Sequence, residues 1–396
     1  MTVESNAYAE DYVIRVSPEP AVSAQAWNEL LHAQSHPTPF MRHEYLCALN
    51  TSQSACATTG WEARWVSLHA RDSDALMAAA VMYIKPHSYG EYVFDWSWAN
   101  AYAQHRLPYY PKATLAVPFT PVPGSRLLAR NDHARAALVQ ALVQVCRDES
   151  LSSLHVLFAS DTDLQALQAA GLMARHTVQF HWHNRNLQGE VFQDFEDFLA
   201  SLSQDKRKKI RQERRKVSEA GVQFRWAQGA DISVQDWAFF YRCYERTYLE
   251  HGNAPYLTPD FFQQMARHMP EHWLLFIAEI DQMPIASSLI ALSADKTVAY
   301  GRYWGALQRV DCLHFEACYY QPLAWCIAHG VQRFEGGAQG EHKMARALLP
   351  VRASSAHWIA HPQFRAAIDN FLTREAQGVD NYMEDLQARS PLRQAP

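Results

Sequence analysis

The chain has 396 residues, enough at about 150 residues per domain for two or three domains with full cores. Apolar residues make up 48%, aromatics 12% and charged residues 19%, which excludes a disordered chain, a collagen and a coiled coil. A formal net charge of −5 excludes a polycation built as a whole for nucleic acid and leaves room for a local basic patch.

The start, MTVESNAYAEDYVIRVS, has no basic stretch followed by an apolar core, so no signal peptide is expected. No run of about 18 apolar residues occurs, so no membrane span is expected and the expected setting is cytoplasmic. Seven cysteines, at 47, 56, 146, 243, 312, 318 and 326, form no C-x-x-C pair, and their number is odd. That argues against a disulfide framework and a structural zinc site, so no metal is expected.

Residues 40–46, FMRHEYL, group Arg42, His43 and Glu44 just before a helix. Residues 65–70 read as a strand, 71–74 as a polar turn and 75–84 as a second apolar strand. That strand ends in Lys85, His87 and Glu91, a charged loop of the kind that lines pockets. The aromatic run 91–102, EYVFDWSWANAY, reads as a third strand. A Pro/Gly turn, FTPVPGSR, ends in Arg126. The segment 131–147 predicts a helix, with Leu138, Leu142, Val145 and Cys146 on one face and Asn131 or Asp132 as its cap. Residues 153–159 predict a buried strand. His181 and His183 share one face of a strand, and packed or surface imidazoles outweigh a ligand pair there.

The second half starts near 195, and its residues 206–216, KRKKIRQERRK, hold eight Lys or Arg in eleven positions. With Leu202, Ile210 and Val217 it predicts a helix over about 203–219 with an apolar line and a basic sheath. Such a sheath either binds phosphates, RNA included, or lies solvated over the fold. Helices at 235–250 and 258–268 follow, then strands at 273–280 and 284–292 around a two-residue turn. The third strand, 297–305, is again aromatic and carries Arg302, Tyr303 and Trp304. A helix over 313–329 has His314 and Glu316 in its first turn, where a carboxylate suits the positive helix end. A short strand, 331–336, runs into FEGGAQGEHKMAR. Its glycines permit close backbone approach, and Glu335, Gln339, Glu341, His342, Lys343 and Arg346 supply groups for proton transfer or substrate binding. A helix at 364–376 closes the chain.

The order strand, turn, strand, aromatic strand, helix, strand thus occurs twice. It predicts a mixed α+β layout in two domains, 1–190 and 191–396. There is no P-loop, no G-x-G-x-x-G turn, no G-x-S-x-G elbow and no H-E-x-x-H.

The segments FMRHEYLCAL, FDWSWANAY with YYPK after it, FTPVPGSRLL, LSQDKRKKIRQERRKV, GRYWGA, HFEACYYQPLAWCI and FEGGAQGEHKMARALLPV stand in this order. Together, over about residues 12–385, they resemble the FemAB-like family of N-acyltransferases, often described as peptidoglycan biosynthesis or recognition proteins. The resemblance implies two tandem GNAT-like domains, each a mixed, mostly antiparallel sheet flanked by helices. It implies passage of an acyl or aminoacyl group from a thioester or ester to an amine, with a base for the ammonium proton and donors for the oxyanion. The glycine loop that wraps the CoA pyrophosphate in ordinary GNAT enzymes is absent, since the stretch before the helix reads GALQRVDCLHFE. No tightly bound cofactor is expected, and acyl-CoA or aminoacyl-tRNA remains as the co-substrate. On this reading Glu316 or Glu341 acts as base, with His342 assisting. Arg42, His43, Glu44, Lys85, His87, Glu91, Arg302, Tyr303, Trp304, His314, Gln339, Lys343 and Arg346 bind a small-molecule or peptide amine and its donor. Lys206, Arg207, Lys209, Arg211, Arg214 and Arg215 hold tRNA if that is the donor. Two alternatives stand beside it: an aminoacyl-tRNA-dependent enzyme that extends a cell-wall peptide, and a non-catalytic recognition module on the same fold.

Overall fold

The computed structural model describes residues 11–338 and 340–393. In chain order its strands are β1 (Tyr12–Ser17), β2 (Glu62–Ala70), β3 (Leu76–Lys85), β4 (Lys112–Leu115), β5 (Leu128–Ala129), β6 (Ser153–Ala159) and β7 (Met173–His183). They continue with β8 (Gln223–Gln228), β9 (Trp273–Ile280), β10 (Met283–Leu292), β11 (Val298–Ala306), β12 (Arg333–Ala338) and β13 (Leu349–Ile359). The chain folds into two compact units. The first runs to Thr177 and takes in Arg352–Asp380; the second is Val178–Val351 with the residues from Asn381 onward.

In the first unit β1, β2, β3 and β4 pair antiparallel in sequence order, and β5 adds a short pairing on β3. The helix Asp132–Asp148 then crosses over, so β6 pairs parallel with β4. Asn131 caps that helix by accepting from the Ala134 N–H at 2.8 Å. Its stripe of Leu138, Leu142 and Cys146 shares a core with Val66, Ala80 and Met82 of the sheet. Each buried leucine there contributes roughly 2–3 kcal/mol of transfer free energy.

The second unit repeats the plan. β8, β9, β10 and β11 are antiparallel, the helical stretch from Leu313 to Ala328 crosses over, and β12 pairs parallel with β11. Four antiparallel strands, a helix and a parallel strand, twice over, make two tandem GNAT-like domains. The expected mixed α/β class is the observed one.

The closing strands are exchanged. β7 follows β6 in sequence but completes the second unit, antiparallel to β12, with Phe334 opposite Trp182. β13 follows β12 but completes the first unit, antiparallel to β6, with Trp358 opposite Leu154. Period-two alternation marks a strand without naming its partner, so a division after residue 190 does not anticipate this exchange.

The expected strand at 91–102 is corrected. Its second half is a helix, Trp96–Gln104, and the strand that follows β3 in the sheet is β4. Aromatic content suggested a strand, but Ala99, Ala101 and Ala103 favour a helix, and Trp98 and Tyr102, four apart, are its buried face. The closing helix is also longer than expected, Pro362–Ala388. The basic helix forms as expected, Gln204–Glu219, with Ile210, Glu213 and Val217 buried.

The matching plan extends to buried polar pairs. In the first unit Thr114, His155 and His357 stand side by side across β4, β6 and β13. In the second, Tyr300, Glu335 and His181 hold the same register across β11, β12 and β7. His155 and His357 touch through their Nδ1 atoms at 2.7 Å, so one ring donates and the other accepts. Burial first, and neighbouring cations second, hold His155 and His357 well below the ordinary imidazole value, His357 near 3. His181 is likewise lowered to about 3, by burial and then by Arg333. These rings are neutral when folded but take up protons in the unfolded chain below about pH 6.5. Their contribution is therefore present above that value and lost as the pH falls. Urea midpoints are expected to drop steadily between about pH 7 and pH 5. An unchanged midpoint would mean that the rings titrate in the native state.

Candidate active site

The site is built where two strands part. β11 carries a bulge against β10: Leu289 pairs with Tyr303 and Ile290 with Gly301, which leaves Arg302 as the extra residue. The parallel pairing of β11 with β12 ends at Tyr300 and Glu335. Beyond that point lies a cavity of about 280 Å³, lined from Ser288 to Lys343. Arg302, Tyr303 and Trp304 line it from β11, His314, Cys318 and Tyr319 from the crossover helix, and Phe334, Gly336, His342 and Lys343 from β12 and the loop after it. The crossover helix contains a π turn, Glu316–Tyr320, a feature common at functional sites.

Glycine is needed in this loop for a physical reason. A Cβ on Gly336 would sit 2.4 Å from the Leu348 side chain, so a larger residue would push the loop off the strand. Gly340 has φ of +105°, and a Cβ there would lie 2.5 Å from the His342 ring. Gly340→Ala is therefore expected to turn His342 out of the cavity and to cost about 1–3 kcal/mol of backbone strain. A thermal melt reads the second effect. A transfer assay that falls as far as it does for a His342 deletion reads the first.

Lys343 is buried, and its Nζ donates to the Gly337 carbonyl at 3.0 Å. Burial lowers this lysine to about 8. The Tyr319 hydroxyl lies 3.4 Å from His342 Nε2. Partial desolvation, with Lys343 and Arg346 nearby, holds His342 below the ordinary imidazole value, and His314 is lowered in the same way with His342 as a further cause. Burial pushes the Tyr319 phenol above its ordinary value, so it stays a donor. The arrangement thus offers two neutral imidazoles, a hydroxyl donor and a soft cation around one small space.

The structure brings together Arg302, Tyr303, Trp304, His314, His342 and Lys343 of the expected site. It does not bring in the two expected carboxylate bases. Glu341 is exposed, accepts from the Tyr382 hydroxyl at 2.6 Å and from Arg389 at 3.2 Å, and is held below the usual carboxylate range by those partners. The physical reason is the 3-10 turn Glu341–Arg346, in which successive side chains point about 120° apart, so His342 faces the cavity while Glu341 faces away. Glu316 is buried outside the cavity, accepting from Arg214 at 3.2 Å and Gln321 at 2.8 Å. Arg346 is a brace: it donates to Glu213 at 2.8 Å and to the Tyr320 hydroxyl at 3.1 Å, over the Phe315 ring. Gln339 lies outside the described residues.

The remaining expected substrate residues belong to the first unit's own contacts. Arg42 pairs with Glu44 at 3.1 Å, and His43 packs on Trp65. The half-buried His87 accepts from the Tyr89 N–H. Lys85 is fully buried, 3.3 Å above the Trp61 ring, and donates to the Gly60 and Tyr89 carbonyls. Burial lowers it to about 7. Glu91 is buried against Lys112 at 2.8 Å. A charged loop at a strand end suggested a pocket, but here the charges satisfy one another inside the fold. Sequence reading singled out none of Ser288, Cys318 and Tyr319 as site residues; no local pattern marks any of the three, since the bulge and the π turn bring them to the cavity.

On the basic helix Arg211 pairs with Glu196, Arg214 with Glu316 and Arg215 with Glu219, while Arg207 donates to the Ala200 carbonyl. Among the described residues no carboxylate pairs with Lys206, Lys208, Lys209 or Lys216. Among the described residues, too, no group of three His, Cys, Asp or Glu is arranged to hold a metal, and no helix is long and apolar enough to cross a membrane.

No curated protein matches the sequence. Among solved structures the chain is similar to FemX, with a TM-score of 0.54 and 11% identity, covering 90% of this chain and 100% of that one. It is also similar to L-PGS from Bacillus licheniformis, at 0.52 and 9% identity over 89% of this chain and 96% of that one. A conserved protein of unknown function from Bacteroides thetaiotaomicron aligns at 0.50 and 9% identity over 87% and 99%. At these identities the likeness is one of fold. The sequence itself matches one family along nearly its whole length, residues 20–394, and the chain belongs to that FemAB-like family of peptidoglycan biosynthesis and recognition proteins.

Proposed function

We propose that the protein is an N-acyltransferase whose chemistry takes place in the cavity between β11 and β12. The observation that carries this reading is the convergence of His342, Tyr319 and Lys343 where the parallel pair parts. The amine nitrogen attacks the carbonyl carbon of an ester or thioester. His342, neutral at pH 7, accepts the proton that the amine loses. Tyr319 donates to the developing oxyanion, the C–O or C–S bond breaks as the carbonyl re-forms, and His342 passes the proton it took to the departing oxygen or sulfur, which leaves as the hydroxyl or thiol of the donor. His314 is the second imidazole within this space.

The donor in this reading is an acyl-CoA or an aminoacyl-tRNA. The basic helix favours the second, because Lys206, Lys208, Lys209 and Lys216 on it form no ion pair with a carboxylate among the described residues. The family description agrees with a cell-wall amine as acceptor.

The test is transfer of a labelled acyl group from each donor class to a panel of amines, with His342→Gln beside the parent. Product with one donor, lost in the variant, supports the reading. Ligand binding without product from either donor would make the protein a recognition module. For a tRNA donor, removing Lys206 and Lys209 should lower the slope of log affinity against log salt by about 1.5.

A further inference from the structure

Glu341 faces away from the cavity, yet it opens the 3-10 turn that carries His342 and Lys343 into it. That turn stands between two left-handed residues, Gly340 with φ of +105° before it and Ala347 with φ of +59° after it. A turn bounded in this way rotates as a unit unless each end is held. The inner end is held from within the fold. Arg346 donates to the His342 carbonyl at 2.9 Å, to Glu213 at 2.8 Å and to the Tyr320 hydroxyl at 3.1 Å.

The outer end is held by the end of the closing helix. Tyr382 and Leu386 are four apart and Arg389 is three further on, so the three lie along one stripe. Leu386 is fully buried in the second unit's core, a core that also takes in Met344 of the turn and Tyr319 of the cavity wall. On either side of that anchor, the Tyr382 hydroxyl donates to one Glu341 oxygen at 2.6 Å and Arg389 donates to the other at 3.2 Å. The chain is tied down beyond this point as well. Leu392 bridges to Leu202, and the Arg393 N–H donates to the Ser201 carbonyl at 2.8 Å.

Building on the transferase reading, we infer that Glu341, Tyr382 and Arg389 are positioning residues: the end of the closing helix latches the turn through Glu341 and so sets where His342 and Lys343 stand. Two donors on one element engage both oxygens of one carboxylate, which fixes its direction as well as its place. Glu341 precedes His342 directly, and a misplacement of about 1 Å at a reacting group costs on the order of 10²-fold in rate. Exposed contacts of this kind add little to global stability, so their effect is local.

The experiment is amide hydrogen exchange by mass spectrometry on the full chain, with a transfer assay beside it. Three variants are compared with the parent: Glu341→Ala, Glu341→Gln, and the double variant Tyr382→Phe, Arg389→Gln. Glu341→Ala and the double variant break the latch from opposite sides. Both are expected to speed exchange over residues 342–348 at least about threefold and to lower kcat about tenfold or more, with near-UV circular dichroism unchanged. Glu341→Gln keeps an oxygen that accepts from both donors, so it should recover most of the rate that Glu341→Ala loses. That rescue separates positioning from proton transfer. If Glu341→Gln lost as much as Glu341→Ala while the double variant kept the parent's rate, Glu341 would be the base and the inference would fall. Parent-like exchange in both latch variants would overturn it too, even if transfer persisted. Faster exchange at the turn with no product from the parent or any variant would uphold the latch and overturn the transferase reading instead.

Discussion

Lys112→Met will destabilise the first unit by about 3–5 kcal/mol, because it leaves two buried carboxylates without their cation. Lys112 is fully buried, and its ammonium meets Glu91 at 2.8 Å and Asp95 on the other side. The network is completed by the Tyr109 hydroxyl, which donates to Asp95 at 2.6 Å, and by Thr114, which donates to Glu91 at 3.3 Å. Burial alone would neutralise this lysine, yet Glu91 and Asp95 hold it above the ordinary lysine range. Against the same pull of burial, Lys112 holds Asp95 far below the usual carboxylate range. Total stability of a domain is only about 5–15 kcal/mol, so the loss is a large fraction of it. The pH dependence has a definite sign. Burial already holds Glu91 above its ordinary value, and without the ammonium Asp95 rises as well, so the variant is least impaired in acid and loses stability as the pH rises. Urea titrations followed by tryptophan fluorescence at about pH 5 and pH 7.5 measure this. The triple variant Glu91→Gln, Asp95→Asn, Lys112→Met should recover most of the loss. A Lys112→Met midpoint equal to the parent's would show that the cluster is not held as ions.

The pH profile of transfer will be a bell, and its two limbs will belong to neighbouring residues. The rising limb is the loss of the proton from His342, which burial, Lys343 and Arg346 place below the ordinary imidazole value. The falling limb is the loss of the Lys343 proton near 8, lowered by burial. Between them His342 is a base and Lys343 is still a cation. His342→Gln should lower kcat by about 10²–10⁴-fold and abolish the rising limb. Lys343→Gln should raise KM and abolish the falling limb. The check is kcat/KM against pH, which reports the free enzyme's groups. A rising limb that survives in His342→Gln would move the base to His314.

Local spacing determined most of the elements of this protein. β6 and β9 begin and end where an apolar run of strand length begins and ends, at Ser153–Ala159 and Trp273–Ile280. The basic helix, Gln204–Glu219, follows from three apolar residues at helical spacing within a charged run. The glycine loop after β12 is likewise legible, because its glycines and polar residues stand together in sequence. Periodicity records the conformation of the backbone, and these elements keep their conformation whatever they pack against.

Tertiary structure decided which partner each element takes and which way each side chain faces. The aromatic run around Trp96 became a helix because Trp98 and Tyr102 are buried together, a fact of packing. β7 and β13 exchanged units because strand pairing is chosen over long sequence distances. In the site, Glu341, His342 and Lys343 are consecutive, yet a tight turn sends the first to solvent and the next two to the cavity. The cavity itself exists because a parallel pairing stops at Tyr300 and Glu335 and a bulge falls at Arg302. The first is a property of β11 and β12, which residues 307–332 separate, and the second of the β10–β11 pair, and no local pattern along any one strand encodes where they part.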